Sequence, residues 1–334
     1  PGAFRLLAPE RISAENAFWS RSNVGSPMRV LVIGGTGFIG QHVVARLVKA
    51  GHVVHVPTRR YSKGRDLLVF PTLTLFEADV HQDAVLERLL RQVDAVINLV
   101  GILHSKPGKP YGPDFRRVHI ELPRRIAAAC RKTGVSRLLH VSALRADPQG
   151  PSAYLRSKAD GEAAIKAEFA SFPEGNYTIF RPSVVFGRED NFMNLFAKLA
   201  RWMPVIPLAA AQSRLQPVYV RDVAKVMVNS LQNSTTYQKT YSVAGVAQYS
   251  LADLVRLASQ WAGTPRPVVP MPNFIGYLQA FFFELLPGEP IMSRDNLNSL
   301  QVDNVSDEPM APELGVVPTP LESVAPTYLR KRRA

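Results

Sequence analysis

Short apolar runs alternate with helical patterns of apolar and polar residues from Met28 onward. The runs are rich in β-branched residues, which is typical of strands buried on both faces, and the longer stretches between them have helical spacing. Parallel strands need such crossovers, so the alternation predicts an α/β fold with a doubly wound parallel sheet. The predicted strands are Arg29–Ile33, Val53–Val56, Leu73–Glu77, Ala95–Val100, Leu138–Val141 and Thr178–Phe180, and the predicted helices are Phe38–Lys49, Ala84–Arg91, Arg116–Lys132 and Ala153–Phe169.

The same pattern divides the chain into four parts. Residues 1–27 show no apolar periodicity, so we expect a disordered N-terminal extension there. Residues 28–183 contain all of the predicted strands and form the main α/β domain. After Pro182 the alternation weakens and prolines become frequent, which predicts that residues 184–329 add a remaining sheet segment and a smaller C-terminal lobe. Residues 330–334 form a basic tail.

A glycine-rich turn separates the first predicted strand from the first predicted helix. Glycines stand at positions 34, 37 and 40 of this turn. A pyrophosphate would have to approach the backbone closely and accept hydrogen bonds from the free N–H groups of the helix N-terminus, so side chains at these positions would obstruct it. The turn predicts a Rossmann-type dinucleotide site, whose candidate contacts here are Gly34, Thr36, Gly37, Phe38, Ile39 and Gly40.

The residues after the second predicted strand bear on the choice of nucleotide. An NAD-binding protein usually places Asp or Glu there, about 20 residues beyond the glycine turn, to bind the ribose 2′-hydroxyl. This chain has Thr58-Arg59-Arg60 instead. Guanidinium groups would attract a 2′-phosphate, so Arg59 and Arg60 favour NADP(H) over NAD(H) as the cofactor. The alternative is that both arginines are solvated loop residues.

The ends of the later strands complete the predicted nucleotide site, because the carboxyl ends of parallel strands meet at one edge of a sheet. Asp79 follows the third predicted strand and is a candidate contact for the adenine. The remaining candidates at strand ends are Val80, Leu99, Val100, Gly101 and Pro182.

A tyrosine and a lysine are placed for proton transfer. Tyr154 and Lys158 are the chain's single Tyr-x-x-x-Lys pair, and on a helix this spacing puts both side chains on one face. A phenol with a pKa of about 10 is a poor base at neutral pH. We expect the Lys158 ammonium to lower this pKa, so that Tyr154 exchanges a proton with a substrate oxygen that Ser142 orients. Lys158 would also hold the nicotinamide ribose.

These motifs resemble those of the extended short-chain dehydrogenases. The glycine turn, Ser142, Tyr154 and Lys158 match that family, and Gln216–Ala224 is similar to its later sheet-and-helix segment. The resemblance is closer to an atypical branch that includes the nucleotide-binding accessory subunit of respiratory complex I and its bacterial relatives. The segments that carry it are His140–Leu144, Tyr154–Glu162, Arg181–Asp190 and Leu286–Asn296, and it extends over most of the chain from Met28 to Leu329.

The resemblance implies a tightly held NADPH and a role in assembling or stabilising a respiratory complex, with complex I subunits as partners. The alternative is a free-standing oxidoreductase or sugar-nucleotide epimerase/dehydratase that uses Ser142, Tyr154 and Lys158. The chain departs from many extended members at His119, where they carry an asparagine. We expect His119 to be packed or hydrogen-bonded rather than catalytic.

Charge and composition narrow the classes of partner. The formal net charge of +13 favours an anionic partner. Basic residues are scattered among acidic ones and no nucleic-acid motif occurs, so we expect no nucleic acid. The lone cysteine, Cys130, excludes an internal disulfide and a cysteine cluster, so we expect no metal site and a reducing compartment.

One aromatic segment leaves two interpretations open. Phe274–Leu286 is too short and too charged to span a membrane, and it predicts either a core helix of the lobe or a helix that contacts a partner or the membrane surface. We expect a cytoplasmic protein, peripheral at the inner face of the respiratory membrane. The alternative location is the matrix side of the mitochondrial inner membrane.

Overall fold

The computed structural model describes residues 26–286, 288 and 290–330. Most of the predicted N-terminal extension (residues 1–25) and residues 331–334 of the basic tail lie outside the described residues.

A seven-stranded parallel sheet forms the centre of the molecule, with the strand order β11-β6-β5-β4-β1-β2-β3. Its strands are β1 (Arg29–Ile33), β2 (Val53–Thr58), β3 (Leu73–Glu77), β4 (Ala95–Asn98), β5 (Arg137–Val141), β6 (Asn176–Pro182) and β11 (Lys239–Val243). Three short two-stranded ribbons are formed by β7 (Val185–Phe186) with β10 (Val218–Tyr219), β9 (Arg214–Leu215) with β12 (Tyr249–Ser250), and β8 (Ile206–Leu208) with β13 (Val268–Pro270).

Helices cover both faces of the sheet. α1 (Phe38–Lys49) and α7 (Val220–Ser230) pack together on one face, and α2 (Asp83–Leu90), α4 (Leu122–Thr133) and α5 (Ala153–Ala170) pack on the other. Central strands are therefore buried on both sides, which explains why they appear in the sequence as continuous apolar runs rather than alternating ones. This is the doubly wound α/β fold that the sequence predicts, and the prediction is confirmed.

The remaining helices are short or belong to the C-terminal lobe. The short ones are a 3₁₀ helix at Tyr61–Val69, α3 (Pro113–Phe115), and 3₁₀ turns at Ser234–Thr236 and Pro312–Leu314. The lobe contains α6 (Met193–Trp202), α8 (Leu251–Trp261), α9 (Asn273–Leu285), α10 (Arg294–Ser299) and α11 (Leu321–Leu329). Of the helices in the described residues, none is both long enough and apolar enough to cross a bilayer.

The lobe has its own apolar core. Buried residues of α6, α8 and α11 form one cluster around Phe186, and α9 and α10 meet in a second, smaller cluster. The sheet itself gains its seventh strand, β11, from residues 239–243, which lie in the part of the chain where the sequence predicts a remaining sheet segment.

The predicted helix Arg116–Lys132 is interrupted in the structure. Residues Arg116–Glu121 form a π-helical turn that continues into α4. Pro123 has no N–H to give to the carbonyl of His119, so regular α-helical bonding cannot run through this point. Gly161 of α5 packs against that carbonyl, and a Cβ atom on Gly161 would lie 1.9 Å from the His119 oxygen.

This contact predicts the sign of a substitution at Gly161. Alanine favours a helix over glycine by about 1 kcal/mol, but the added methyl would force α5 away from the π-helical turn. We expect Gly161→Ala to lower the free energy of unfolding by about 1 to 3 kcal/mol, measured by urea denaturation.

The matched control is Ala163→Gly, at an exposed position of the same helix. It should cost only the intrinsic helix preference of about 1 kcal/mol. A more stable Gly161→Ala protein would contradict the close approach.

Candidate functional site

The carboxyl ends of six neighbouring strands form the candidate site, in the order β6-β5-β4-β1-β2-β3. β1 and β4 are adjacent in the sheet although β2 and β3 come between them in the chain, so the loops after β1 and β4 diverge to opposite faces. Ligands of open α/β sheets bind in the crevice at such a switch point. β5 and β6 follow on the β4 side and bring their ends to the same edge.

The glycine turn at the end of β1 is held by close backbone contacts. Gly34 has a φ of +86°, and its carbonyl accepts a hydrogen bond from the Gly37 N–H at 3.0 Å. A Cβ on Gly40 would lie 2.2 Å from the Gly34 oxygen, whereas a Cβ on Gly37 would lie 3.3 Å from it. Glycine at position 40 is therefore required by packing, and the outer position 37 has more room.

The N-terminus of α1 fits an anion. Its N-cap, Gly37, provides no side-chain cap, and the first turn carries no acidic residue. The free N–H groups and the positive end of the helix dipole are thus left for a phosphate. Phe38 packs its ring against His42, and Ile39 packs against the core, so these two residues would offer backbone N–H groups. Thr36 accepts a bond from Gln41 through its carbonyl.

The ends of β2 and β3 border a cavity of about 470 Å³. The Asp79 carboxylate accepts a hydrogen bond from the His81 N–H at 3.0 Å, which lowers the pKa of Asp79. Arg59 lines this cavity, and so does Arg117 from the π-helical turn. The neighbouring Arg60 is exposed, as Arg59 and Arg117 are, and its backbone N–H donates to the Thr58 hydroxyl at 3.3 Å.

Arg117 was not among the residues predicted from the sequence. It reaches the cavity from a segment 40 positions beyond β3, and no local sequence pattern predicts a contact between such distant residues. Of the predicted residues in this region, Asp79 and Arg59 line one cavity. Val80 packs against the apolar core instead.

The loop after β4 leads from the glycine turn to Lys158. The Leu99 N–H donates to the Ile33 carbonyl at 2.9 Å, and the Val100 N–H donates to the Asn98 side chain at 3.2 Å. A Cβ on Gly101 would lie 3.2 Å from Lys158 Nζ. The absence of a side chain at Gly101 therefore keeps the surface beside the ammonium open, which fits the ribose of a nicotinamide nucleotide.

The predicted catalytic residues lie close together. The Lys158 ammonium donates to the Val141 carbonyl at 3.2 Å and lies 6.0 Å from the centre of the Tyr154 ring. Ser142 follows Val141 directly and is buried, and its hydroxyl has no hydrogen-bond partner among the described residues. A buried polar atom without a partner is costly, so this hydroxyl fits contact with a polar ligand. Pro182 at the end of β6 accepts from the Leu144 N–H.

The electrostatics of this group differ from the expectation. Burial raises the pKa of the Tyr154 phenol to about 12, and burial lowers the pKa of Lys158 to about 8. The expected lowering of the Tyr154 pKa by Lys158 is wrong for the protein by itself. The ammonium sits over the ring and bonds to a backbone carbonyl, so it does not offset the loss of water around the phenol.

A second charged group near Lys158 is already neutralised. Glu162, one helical turn further along α5, forms a bidentate pair with Arg181 at 2.7 and 2.6 Å. Its carboxylate still raises the pKa of Lys158, but less than burial lowers it.

His119 is hydrogen-bonded and buried, as expected. Its Nε2 accepts from the Ile102 N–H at 3.1 Å, so the proton is on Nδ1, which lies 2.9 Å from the Ser157 hydroxyl. That hydroxyl donates to the Tyr154 carbonyl at 2.8 Å. Burial, with Lys158 nearby, holds the pKa of His119 well below its usual range, so the ring is neutral. Through Ser157 it is hydrogen-bonded to the first turn of α5.

His140 provides another buried polar atom. Its Nδ1 lies 3.1 Å from the side-chain nitrogen of Asn98, and its Nε2 finds no partner in the part of the chain that the structure describes. Burial, followed by the charge of Lys158, lowers the pKa of His140 to about 3. Two buried polar atoms at the ends of these strands, His140 Nε2 and Ser142 Oγ, are therefore without a partner among residues 26–286, 288 and 290–330.

Asp295 is a functional neighbour that sequence reasoning missed. Its carboxylate accepts from the backbone N–H groups of Ala153 and Tyr154 at 2.7 and 3.0 Å, while Ser152 caps the same helix end. The carboxylate comes from α10 in the lobe, and the contact spans more than 140 positions in the chain. Asp295 stabilises the N-terminus of the helix that carries Tyr154 and Lys158.

The arrangement supports nucleotide binding and leaves room for proton exchange. The arginine-lined cavity, the uncapped helix and the open surface at Gly101 follow one edge of the sheet in the order of a dinucleotide's adenosine, phosphates and nicotinamide ribose. Within the described residues, no cluster of histidine, cysteine and carboxylate side chains is suited to a metal ion.

Comparisons with known proteins agree with this geometry. A model of the NAD dependent epimerase/dehydratase family matches residues 30–244. The mouse NADH dehydrogenase (ubiquinone) 1 alpha subcomplex subunit 9, mitochondrial, is 35% identical over 321 residues, which cover 94% of this chain and 82% of that protein. The Neurospora crassa NADH-ubiquinone oxidoreductase 40 kDa subunit is 30% identical over 319 residues, with the same coverage of both chains.

A solved structure with the same fold is the UDP-glucose 4-epimerase of Thermotoga maritima. It superposes with a TM-score of 0.66 at 18% identity and covers 90% of this chain and 97% of its own. At this identity the likeness concerns the fold, which is that of NAD(P)-binding proteins.

Lys158 offers a test of the site's electrostatics. Its pKa of about 8 in the folded protein lies below its ordinary value of 10.5, so the unfolded chain binds more protons between these pH values and stability rises with pH across that window. We expect Lys158→Met to stabilise the protein without nucleotide by about 1 to 3 kcal/mol at pH 7, because it removes a buried charge.

Thermal unfolding between pH 7 and 9.5 measures both effects, and the gain of the variant should shrink as the pH rises. Lys166→Met, at an exposed position of the same helix, is the control and should change stability by less than about 0.5 kcal/mol. A Lys158→Met protein less stable than the wild type at pH 7 would show that the ammonium is net stabilising.

Proposed function

The chain belongs to the NAD-dependent epimerase/dehydratase family, and on that premise we propose that it is an NADP(H)-binding accessory or assembly factor of respiratory NADH:ubiquinone oxidoreductase. One observation carries the proposal. The similarity to the two complex I subunits covers 94% of the chain and thus includes the lobe, whereas the general family model ends at residue 244. The lobe is where such family members differ in what they bind, so resemblance there bears on the partner.

Two arginines support NADP(H) over NAD(H). Arg59 and Arg117 line the cavity that Asp79 borders, and they approach it from two different elements. A 2′-phosphate at the adenosine ribose would form charge-assisted bonds with both guanidinium groups. Arg60, the other arginine that the sequence suggests, does not line this cavity.

The bound nucleotide would act mainly by stabilising the protein. Ligand binding to the folded state alone adds stability in proportion to the logarithm of its concentration over its dissociation constant. The nucleotide would bridge the glycine turn, the cavity and Lys158, and so connect four strands of the sheet. When bound, NADP(H) also supplies a hydride donor or acceptor.

The alternative function is that of a free-standing oxidoreductase or epimerase/dehydratase. It is favoured by the Ser142 hydroxyl, which is buried without a partner beside Lys158 and suits a substrate carbonyl or hydroxyl. Tyr154 would then exchange the proton. The accessory role would place the protein at the inner face of the respiratory membrane, or at the matrix side of the mitochondrial inner membrane.

The nucleotide preference can be tested by titration calorimetry. We expect Arg59→Ala and Arg117→Ala each to weaken NADPH binding about ten- to a hundredfold, since each removes one charge-assisted contact. NADH binding should change far less, because NADH lacks the 2′-phosphate.

Arg60→Ala is the matched control and should leave the preference for NADPH unchanged. The proposed 2′-phosphate site would be wrong if Arg60→Ala had the larger effect, or if none of the three variants changed the ratio of the two affinities.

Binding and catalysis can be separated at two positions. Tyr154→Phe removes one oxygen and should leave NADP(H) affinity almost unchanged. Gly37→Val should abolish binding by filling the phosphate approach, and its Cβ, at 3.3 Å from the Gly34 oxygen, needs only a small adjustment of the turn. The variant should forgo about 2.7 kcal/mol of stabilisation if nucleotide stands at a hundred times its dissociation constant.

In cells that carry either variant in place of the wild type, membrane NADH:ubiquinone oxidoreductase activity is the readout. The accessory role predicts that activity persists with Tyr154→Phe and falls with Gly37→Val. Loss of activity with Tyr154→Phe, while the nucleotide stays bound, would favour the enzyme.

A further inference from the structure

Helix α9 presents an apolar face to solvent. The face is formed by Phe274, Ile275, Leu278, Phe281, Phe282 and Leu285, all of them exposed, with Phe274 at 72% and Leu285 at 65%. At 100° per residue these side chains fall within an arc of about 120° on one side of the helix. The opposite side is buried at Gly276 and Ala280 against the lobe, so the interpretation of this segment as a core helix is wrong for most of its surface.

The apolar surface continues beyond α9. The sequence carries no charged residue from position 267 to 283, and the ribbon of β8 and β13 exposes Pro207 and Val269 at paired positions. Exposed Val205 and Trp202, which is 88% exposed, precede this ribbon. Exposed apolar side chains that collect in one part of a domain mark an interaction surface.

Cations border the Trp202 end of this surface. Arg201 lies beside Trp202 and donates to the Leu329 carbonyl at 3.3 Å, which brings the C-terminus of α11 to this place. Arg330, which follows Leu329, is exposed. Lys198 is exposed one turn earlier on α6.

From this placement we propose that the α9 face, with Trp202 and its neighbouring cations, is the surface by which the protein binds an anionic lipid bilayer. An amphipathic helix with aromatic and leucine side chains on one side inserts shallowly at the level of the headgroups, and tryptophan is favoured there because its ring is apolar while its N–H is polar. Lysine and arginine next to such a face attract anionic headgroups. The net charge of +13 acts in the same direction.

The charge pattern favours lipid over a second copy of the chain. Each copy of the chain carries a formal net charge of +13, and this like charge opposes the association of two copies while it favours anionic lipid. This surface would hold the protein at the membrane in the peripheral location proposed above, and its binding to lipid can be tested without any respiratory subunit.

The experiment is flotation of the purified full chain with vesicles. One set consists of phosphatidylcholine alone and a second contains phosphatidylcholine with phosphatidylglycerol. We expect the wild type to float with the anionic vesicles and to bind them less at high salt. Phe274→Ser/Phe282→Ser should weaken this binding about tenfold or more, because two exposed aromatic rings no longer enter the lipid.

The matched control is Val69→Ser/Val317→Ser, which removes two apolar side chains that are 77% and 88% exposed elsewhere and should bind vesicles like the wild type. Thermal unfolding and NADPH titration check that each variant is folded. Should the phenylalanine variant not fold, Lys198→Gln/Arg330→Gln provides the second test, and it should reduce binding to anionic vesicles without affecting the fold.

Three results would overturn the proposal. The wild type fails to float with anionic vesicles, or it floats and the folded variants float equally well. In the third, light scattering shows that the wild type is a dimer, the dimer does not float with vesicles, and the phenylalanine variant is a monomer. This result would assign the face to a second copy of the chain. Failure of the vesicle test alone would leave the nucleotide site and the complex I role standing, since the calorimetry and activity measurements address those.

Discussion

Close approach between backbone segments is the constraint on which the site depends. At Gly40 the first turn of α1 lies against the backbone of Gly34 and Gly35, and at Gly161 helix α5 lies against the carbonyl of His119. Both contacts exclude a Cβ atom, and both fix a helix to the edge of the sheet where the strands end. The first aims a helix N-terminus at the crevice, and the second sets the depth at which Tyr154 and Lys158 enter it. Because glycine is disfavoured in helices, these two positions lower the intrinsic stability of their helices in exchange for the close packing.

Buried polar groups at the same edge of the sheet lower the stability of the protein when no ligand is bound. Lys158, His140 and the Ser142 hydroxyl sit below the surface with few partners, and the pKa values of the lysine and the histidine are lowered accordingly. Such an arrangement costs stability in the protein by itself and is relieved by a polar ligand that provides the missing partners. The proposed nucleotide would provide such partners, which is consistent with the proposal that nucleotide binding stabilises the protein.

The lobe joins this site to the outer surface of the molecule. The Asp295 carboxylate of α10 accepts hydrogen bonds from the N-terminus of α5, and α10 also packs against α9. The helix that positions Tyr154 and the helix that exposes the apolar face therefore share one neighbour. The exposed face of α9 and the candidate nucleotide edge belong to a continuous packed structure, so binding at either one would have a physical route to the other.

Sequence by itself determined the features that depend on local spacing. The alternation of strands and helices, the glycine turn and the pairing of Tyr154 with Lys158 on one helical face all follow from periodicity and from the geometry of single elements. The tertiary structure decided what depends on the distance between remote segments and on the exclusion of water. It brought Arg117 rather than Arg60 to the cavity of Arg59, raised the phenol pKa that the lysine was expected to lower, and left most of α9 exposed. A linear pattern shows which residues can share a face, but only the folded chain shows which groups lose their water and which remote charges then face them.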